Sequence, residues 1–125
     1  MIDHVSVAVR DIALATRFYE LLLATIEITK LETRPATVGF GKKYPEFWVN
    51  LRAEPIAART GAHICFRAST TDMVDAFHAA ALVAGGASDG APGLRPHHGE
   101  GYYAAFIRDP DGNRIEVVTF VKTSP

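Results

Sequence analysis

Two stretches decide the fold: residues 2–9, IDHVSVAV, and residues 61–68, GAHICFRA. In the first stretch the side chains divide into two sets that alternate along the chain, as a strand with two different faces requires. His4 lies in the middle of this strand, and His63 lies at the matching point of the second stretch. Because the interval between the histidines is longer than the units of solenoid proteins, we expect a pair of similar modules.

Helices with the same spacing support the repeat. Phe18 and Phe77 are separated by the same interval as His4 and His63, and each lies in a run whose apolar residues have helical spacing. These runs predict helices over Ile12–Leu23, with Asp11 as N-cap, and over Asp72–Ala84, with Ser69 or Thr70 as N-cap and Gly85-Gly86 at its end.

Each module is therefore predicted to have the order β-α-β-β-β. In the first module, strands are expected at Ile2–Val9, Thr25–Leu31, Ala36–Gly41 and Glu46–Leu51. In the second, the strand at 61–68 and the helix are followed by a short strand from Ala87, a Gly/Pro/His loop over 88–101, and strands at Tyr102–Arg108 and Asn113–Val121. The DPDG turn at residues 109–112 is a strong hairpin signal.

Length and composition favour one domain over residues 1–125. Module 1 is expected at about 1–55 and module 2 at about 60–125, with a linker rich in Ala and Arg that includes Pro55.

The single cysteine excludes an intrachain disulfide framework and is typical of a reducing compartment. A net charge of -1 gives no indication of the basic surface that nucleic-acid-binding proteins present. No leader pattern and no apolar run of about 20 residues is present, so a cytoplasmic location without a membrane is expected.

Three residues stand out as carriers of chemistry. His4 and His63 occupy equivalent points of the repeat, and Glu116 lies inside the apolar run RIEVV. A carboxylate in an apolar strand costs several kcal/mol unless a cation or donor accompanies it. Two imidazoles and one carboxylate are the composition of a facial metal triad with open positions for substrate or dioxygen. The alternative is a histidine pair in the core with a bridge from Glu116 to Arg67 or Arg114.

The chain resembles a known superfamily in three segments. DHVSVAVRD at 3–11, GAHICFRA at 61–68 and FIRDPDGNRIEVV at 106–118 are similar to the vicinal oxygen chelate superfamily, and in particular to a glyoxalase/dioxygenase-like branch of it. That superfamily includes glyoxalase I, extradiol dioxygenases, fosfomycin-resistance thiol transferases and bleomycin-binding resistance proteins. The resemblance implies an α+β fold in which paired βαβββ modules form an open, mostly antiparallel half-barrel around a central cavity.

The resemblance also implies a metal site. His4, His63 and Glu116 would be ligands of a divalent ion (Fe, Mn, Ni, Co or Zn), with Glu116 also acting in catalysis. Four-ligand members place another Glu late in module 1, where our alignment puts the neutral Asn50 opposite Glu116; a shifted register would offer Glu46 or Glu54 instead. Small members of the family are homodimers, so the site is either within one chain or shared between two.

Further residues are expected to line the cavity. Substrate-binding candidates are Trp48, Asn50, Arg67, His97, His98 and Tyr102, and Tyr103 is a candidate proton donor. One of the two adjacent tyrosines should face the cavity while the other packs on a helix. Each residue also has a simpler interpretation: Trp48 in the core or an interface, Arg67 solvated at a strand end, and both histidines in a solvated loop. Cys65 shares the face of His63, and a buried inert thiol is its commoner role.

Three functional hypotheses follow. The first is a metal-dependent enzyme that chelates neighbouring oxygens of a small substrate, with lyase or isomerase chemistry favoured because the chain length suits a glyoxalase. The second is an extradiol-type dioxygenase, although such enzymes are usually about twice as long. The third is a metal-free drug-binding protein of the bleomycin-resistance type. A structural protein that keeps vestigial ligands is a separate alternative to all three.

Overall fold

Each module of the chain has one helix and four strands. The structure is a computed structural model that describes residues 1–54 and 61–122. Module 1 contains β1 (Val5–Val9), α1 (Ile12–Ala24), β2 (Thr29–Arg34), β3 (Thr37–Gly41) and β4 (Phe47–Leu51). Module 2 contains β5 (His63–Arg67), α2 (Thr71–Val83), β6 (Ala87–Leu94), a short 3-10 helix (Pro96–His98), β7 (Tyr102–Arg108) and β8 (Arg114–Phe120). The first residues of α1 and α2 are separated by the same interval as Phe18 and Phe77, and so are their last residues. This equal spacing confirms the repeat. Pro55 of the predicted linker lies outside the described residues.

The strands form two separate four-stranded sheets. Their orders are β1-β4-β3-β2 and β5-β8-β7-β6, so the second sheet repeats the topology of the first. In each sheet the first strand pairs in parallel with its neighbour, and the remaining pairs are antiparallel. The sheets do not close into a barrel. This arrangement confirms the expected α+β fold of paired βαβββ modules.

Local sequence signals explain the helix boundaries. Asp11 accepts a hydrogen bond from the Leu14 amide at 3.0 Å, and Thr70 accepts one from the Met73 amide at 3.1 Å. These caps satisfy amides that the first helical turn leaves without partners. Each helix then buries one face, in which Phe18 and Phe77 are fully buried. The equivalent phenylalanines of the repeat are thus core residues.

The sequence predictions are wrong in three places. The strand expected at Thr25–Leu31 is found at Thr29–Arg34, because α1 and the turn after it continue to residue 27. His4 lies before β1, which begins at Val5, so it is an exposed residue at the end of the strand. Residues 88–94, predicted as loop, belong to the edge strand β6. Its pairing with β7 shifts register twice, at Ser88/Gly90 and at Gly90/Gly93. Such bulges on an edge strand accommodate the Gly and Pro residues that suggested a loop.

Polar and aromatic contacts join the two modules. The Tyr19 hydroxyl donates to Asp109 Oδ2 at 2.6 Å, although the two residues are far apart in sequence. Asn113 Nδ2 donates to the carbonyl oxygen of Ala8 at 2.8 Å. The rings of Phe47 and Phe66 meet edge to face, with 5.1 Å between centroids. These contacts therefore hold the turn after β7 against module 1.

No helix of the described residues is long and apolar enough to cross a membrane.

Candidate functional site

A buried carboxylate lies at the centre of the second sheet. The Glu116 residue is 4% exposed, and its Oε1 lies 3.2 Å from Nε2 of His63. The Tyr102 hydroxyl donates a hydrogen bond to the other oxygen, Oε2. No Arg–Glu116 bridge exists among the described residues, where Arg67 instead stacks over the Phe120 ring at 4.6 Å. Glu116 therefore has a histidine and a tyrosine as its partners.

The adjacent tyrosines point to opposite sides of β7. Tyr102 reaches Glu116, whereas the Tyr103 hydroxyl donates to Asp75 Oδ1 on α2 at 2.6 Å. Burial and the hydrogen bond to Glu116 together raise the pKa of Tyr102 above its usual value. Tyr102 thus lies on the side of Glu116, whereas Tyr103, which we expected to donate a proton, packs on the helix side.

Cys65 is directly opposite Glu116 in the pairing of β5 with β8. Burial and the neighbouring Glu116 charge raise the pKa of its thiol to about 12. The sulfur therefore stays protonated at neutral pH, and a protonated thiol is neither a strong nucleophile nor a good metal ligand. This agrees with an inert thiol, although the residue as a whole is exposed and not buried as expected.

His4 belongs to the other module. Its Nδ1 lies 2.7 Å from Asp3 Oδ1, and because a carboxylate only accepts, Nδ1 carries the proton. The lone pair of Nε2 is then free for a cation, as in many histidine ligands held by a second carboxylate. Within the described part of one chain, no three His, Cys, Asp or Glu side chains come close enough to hold an ion. A single chain therefore brings together His63 and Glu116 but not His4.

The strand register corrects the alignment of the fourth ligand. Ser6 pairs with Trp48, and Cys65, the equivalent of Ser6 in the repeat, pairs with Glu116. Trp48, not Asn50, therefore occupies the position equivalent to Glu116. The error arose because the segments FWVNL and RIEVV were aligned by sequence alone, whereas register is set by backbone pairing.

The other residues considered for this role lie around the same strand. Asn50 is two residues further along the same face as Trp48, and its Oδ1 accepts a hydrogen bond from the Thr37 hydroxyl at 2.5 Å. Glu46 precedes β4 and lines a cavity together with His4, while Glu54 lies beyond the end of β4. Of the two glutamates, Glu46 is the one that shares a cavity with a candidate ligand.

Two cavities meet at His63. One of about 610 Å³ is also lined by His4, Cys65 and Arg67, and it spans both modules. The other, of about 400 Å³, is lined by Glu116 and His98 as well as His63. The His98 ring stacks on Tyr102 with 5.2 Å between centroids, and the ring of the neighbouring His97 lies 4.3 Å from that of His98. The 3-10 helix therefore contributes His98 to the rim of the cavity that Glu116 lines.

The donor atoms present suit a divalent ion. Imidazole nitrogen and carboxylate oxygen are ligands for Zn, Mn, Fe, Ni and Co. Two atoms that each bind one ion at about 2.1 Å lie about 3 Å apart when they are at right angles. The 3.2 Å between His63 Nε2 and Glu116 Oε1 fits that requirement. For such an ion the pair would supply two ligands, and any further ligands would have to come from elsewhere.

Comparison with known proteins identifies the family of the chain. Residues 1–117 match the model of the glyoxalase/bleomycin resistance protein/dioxygenase superfamily. The chain belongs to this superfamily. Virulence protein STM3117 of Salmonella typhimurium (strain LT2) is 33% identical over 125 residues, an alignment that covers 96% of this chain and 84% of that protein.

Solved structures of the superfamily share the fold. A glyoxalase/bleomycin resistance protein from Albidiferax ferrireducens T118 is 31% identical, with a TM-score of 0.82 over 93% of this chain and 96% of that one. Fosfomycin resistance protein FosX from Mesorhizobium loti is 19% identical, with a TM-score of 0.71 over 97% of this chain and 92% of that one. At that identity, the likeness to FosX shows the fold alone.

Two residues that contact candidate site residues were not identified from the sequence. Thr37 holds the Asn50 side chain, and Arg34 lies over the Trp48 ring with 5.4 Å from Cζ to the centroid. Both residues belong to strands whose faces were not assigned from sequence. Their position could have been inferred only from the pairing of β2, β3 and β4.

Proposed function

We propose that the chain is a metal-dependent enzyme of the superfamily that binds a divalent ion through His4, His63 and Glu116. The observation that carries the proposal is the buried Glu116 carboxylate with His63 Nε2 at 3.2 Å. A buried carboxylate with an imidazole beside it is costly as a purely structural element. A divalent ion between the two groups would offset that cost.

The ligand set favours a site shared between two chains. His63 and Glu116 are adjacent on module 2, whereas His4 lies on module 1 and joins no such cluster within the described chain. A twofold homodimer would place His4 of one protomer beside His63 and Glu116 of the other, and would form two equivalent sites. The open sheet faces leave room for this arrangement.

We propose that the chain's residues have separate roles at this centre. The ion would polarise a substrate oxygen as a Lewis acid. Tyr102 holds Glu116 through Oε2, which directs Oε1 towards His63. His98 on the rim limits the entry of water, and Arg67 in the larger cavity provides a positive charge for the substrate. Because the chain length suits a glyoxalase, we favour lyase or isomerase chemistry on a small substrate with neighbouring oxygens.

Metal content tests the proposal directly. Protein purified without a histidine tag and reconstituted with Fe, Mn, Co, Ni or Zn should retain about one equivalent per chain by mass spectrometry of the elements. His63→Ala and Glu116→Gln should each lower the affinity by more than about 100-fold, because each removes one of three ligands. His97→Ala is the matched control and should bind the ion as the parent protein does.

The same experiment separates the other hypotheses. Less than about a tenth of an equivalent after reconstitution would contradict the metal site and favour a metal-free binding protein. For the loaded protein, oxygen consumption with catechols would favour the dioxygenase. Turnover of a thiol adduct of a 2-oxoaldehyde without oxygen uptake would favour the lyase or isomerase.

A further inference from the structure

Module 1 has a small pocket of its own beside His4. It has a volume of about 220 Å³ and is lined by His4, Ser6, Arg34, Thr37, Trp48 and Asn50. Among the described residues, no carboxylate lines this pocket. In the second module the equivalent surface contains the buried Glu116. The two halves of the repeat therefore differ in charge at corresponding places.

Arg34 provides the positive charge of the pocket. Its Nε pairs with Glu32 Oε1 at 3.3 Å, and its guanidinium lies over the Trp48 ring. The two side chains of the ion pair are 59% and 43% exposed, so solvent screens their attraction. Within the described chain, the terminal nitrogens of Arg34 have no other ion pair, and they form a fork that suits a carboxylate or phosphate.

Asn50 adds a neutral donor. Its Oδ1 accepts from the Thr37 hydroxyl, and its Nδ2, which only donates, is a donor for a ligand in the pocket. Ser6 supplies a hydroxyl on the same surface. The polar groups of the pocket thus favour a ligand that accepts hydrogen bonds.

Trp48 forms the wall between these donors. It pairs with Gly39 on β3, where an added Cβ would lie 2.8 Å from the indole ring. The glycine leaves space for the ring to lie flat against the strand, with Arg34 on the ring face. The indole therefore has a defined place in the pocket and is sensitive to what binds there.

We propose that this pocket binds an anionic oxygen group, a carboxylate or a phosphate, of the substrate. Arg34 neutralises the charge, Asn50 Nδ2 donates to one oxygen, and the size of the pocket limits the group to a few heavy atoms. Because His4 lines the pocket, the anionic group would lie next to the ion, and in this respect the inference rests on the proposed function. Binding of the anion itself does not depend on the metal, so the two ideas fail separately.

Tryptophan fluorescence tests the pocket, since Trp48 is the one tryptophan of the sequence. Metal-stripped protein is titrated with inorganic phosphate and, separately, with oxalate, at an ionic strength held constant with chloride. We expect a saturable change in emission with at least one anion. Arg34→Gln should weaken that binding at least about tenfold, and Arg34→Lys should restore part of it, because lysine keeps the charge but lacks the fork.

The control is Arg17→Gln, which removes an exposed arginine of α1 and should leave binding unchanged. Calorimetric titration checks each affinity, because loss of the guanidinium also alters the emission of Trp48 directly. Tighter binding of oxalate than of phosphate would assign a carboxylate, and the reverse order would assign a phosphate. An absence of saturable binding, equal binding by Arg34→Gln, or binding only after metal is added would overturn the proposal.

Discussion

Glu116 has a different partner on each of its two oxygens. His63 Nε2 lies near Oε1, and Tyr102 donates to Oε2. A carboxylate held by one oxygen in this way cannot rotate freely, so the other oxygen keeps its direction. The tyrosine therefore acts as a positioning residue for Glu116.

Replacement of Tyr102 by Phe should lower metal affinity by about 10- to 100-fold, because Glu116 loses the donor that orients it. The measurement is the dissociation constant in competition with a chelator dye. Tyr103→Phe is the matched control, since it removes a hydroxyl that binds Asp75 on the opposite side of the strand. Equal effects of the two substitutions would contradict the positioning role.

At the scale of elements, α1 and the turn between β7 and β8 depend on each other. Asp109 is 4% exposed, and it accepts hydrogen bonds from the Tyr19 hydroxyl and from Asn113. Burial raises the pKa of the Asp109 carboxyl, while these hydrogen bonds oppose the rise. The contact thus joins module 1 to the DPDG turn. It depends on the buried Asp109 carboxylate, which is stabilised by the hydrogen bonds that it accepts.

Tyr19→Phe should lower the free energy of unfolding by about 1–3 kcal/mol at neutral pH, because a buried carboxylate loses a donor. The loss of this bond raises the Asp109 pKa further. Since only the charged form is penalised, the destabilisation should shrink as pH falls from about 7 to about 4.5 and Asp109 becomes protonated. Urea unfolding at several pH values measures this. Tyr44→Phe, at an exposed tyrosine, is the control, and a pH-independent difference would contradict the explanation.

At the scale of the whole molecule, the candidate ligands lie on different modules. In a homodimer with shared sites, each site would take His4 from one protomer and the His63–Glu116 pair from the other. Two inactive variants can then complement each other, which is impossible for a site built within one chain.

Co-expression of His4→Ala with Glu116→Gln should restore metal binding to about a quarter of the normal content. Random pairing makes about half of the dimers mixed, and each mixed dimer has one intact site of two. Metal content of the dimer fraction from size-exclusion chromatography is the readout. Each variant expressed alone is the control. No gain over those controls would exclude shared sites.

The sequence by itself determined the repeat, the helices and the composition of the candidate site. The equal spacing of the two histidines and the two phenylalanines, the caps at Asp11 and Thr70, and the DPDG turn can all be read along the chain, and the caps and the turn are produced by neighbouring residues. His63 and Glu116 were recognisable as polar residues within apolar strands. Such features need no knowledge of distant contacts.

Only the tertiary structure decided how residues from different strands meet. Strand pairing put Trp48 rather than Asn50 opposite Glu116 in the repeat, and it brought Arg34 over Trp48. It also selected Tyr102 over Tyr103 as the partner of Glu116. Side chains alternate along a strand, so a sequence shows that neighbours face opposite ways but not which one faces the cavity. That choice depends on backbone hydrogen bonds to strands far away in the chain.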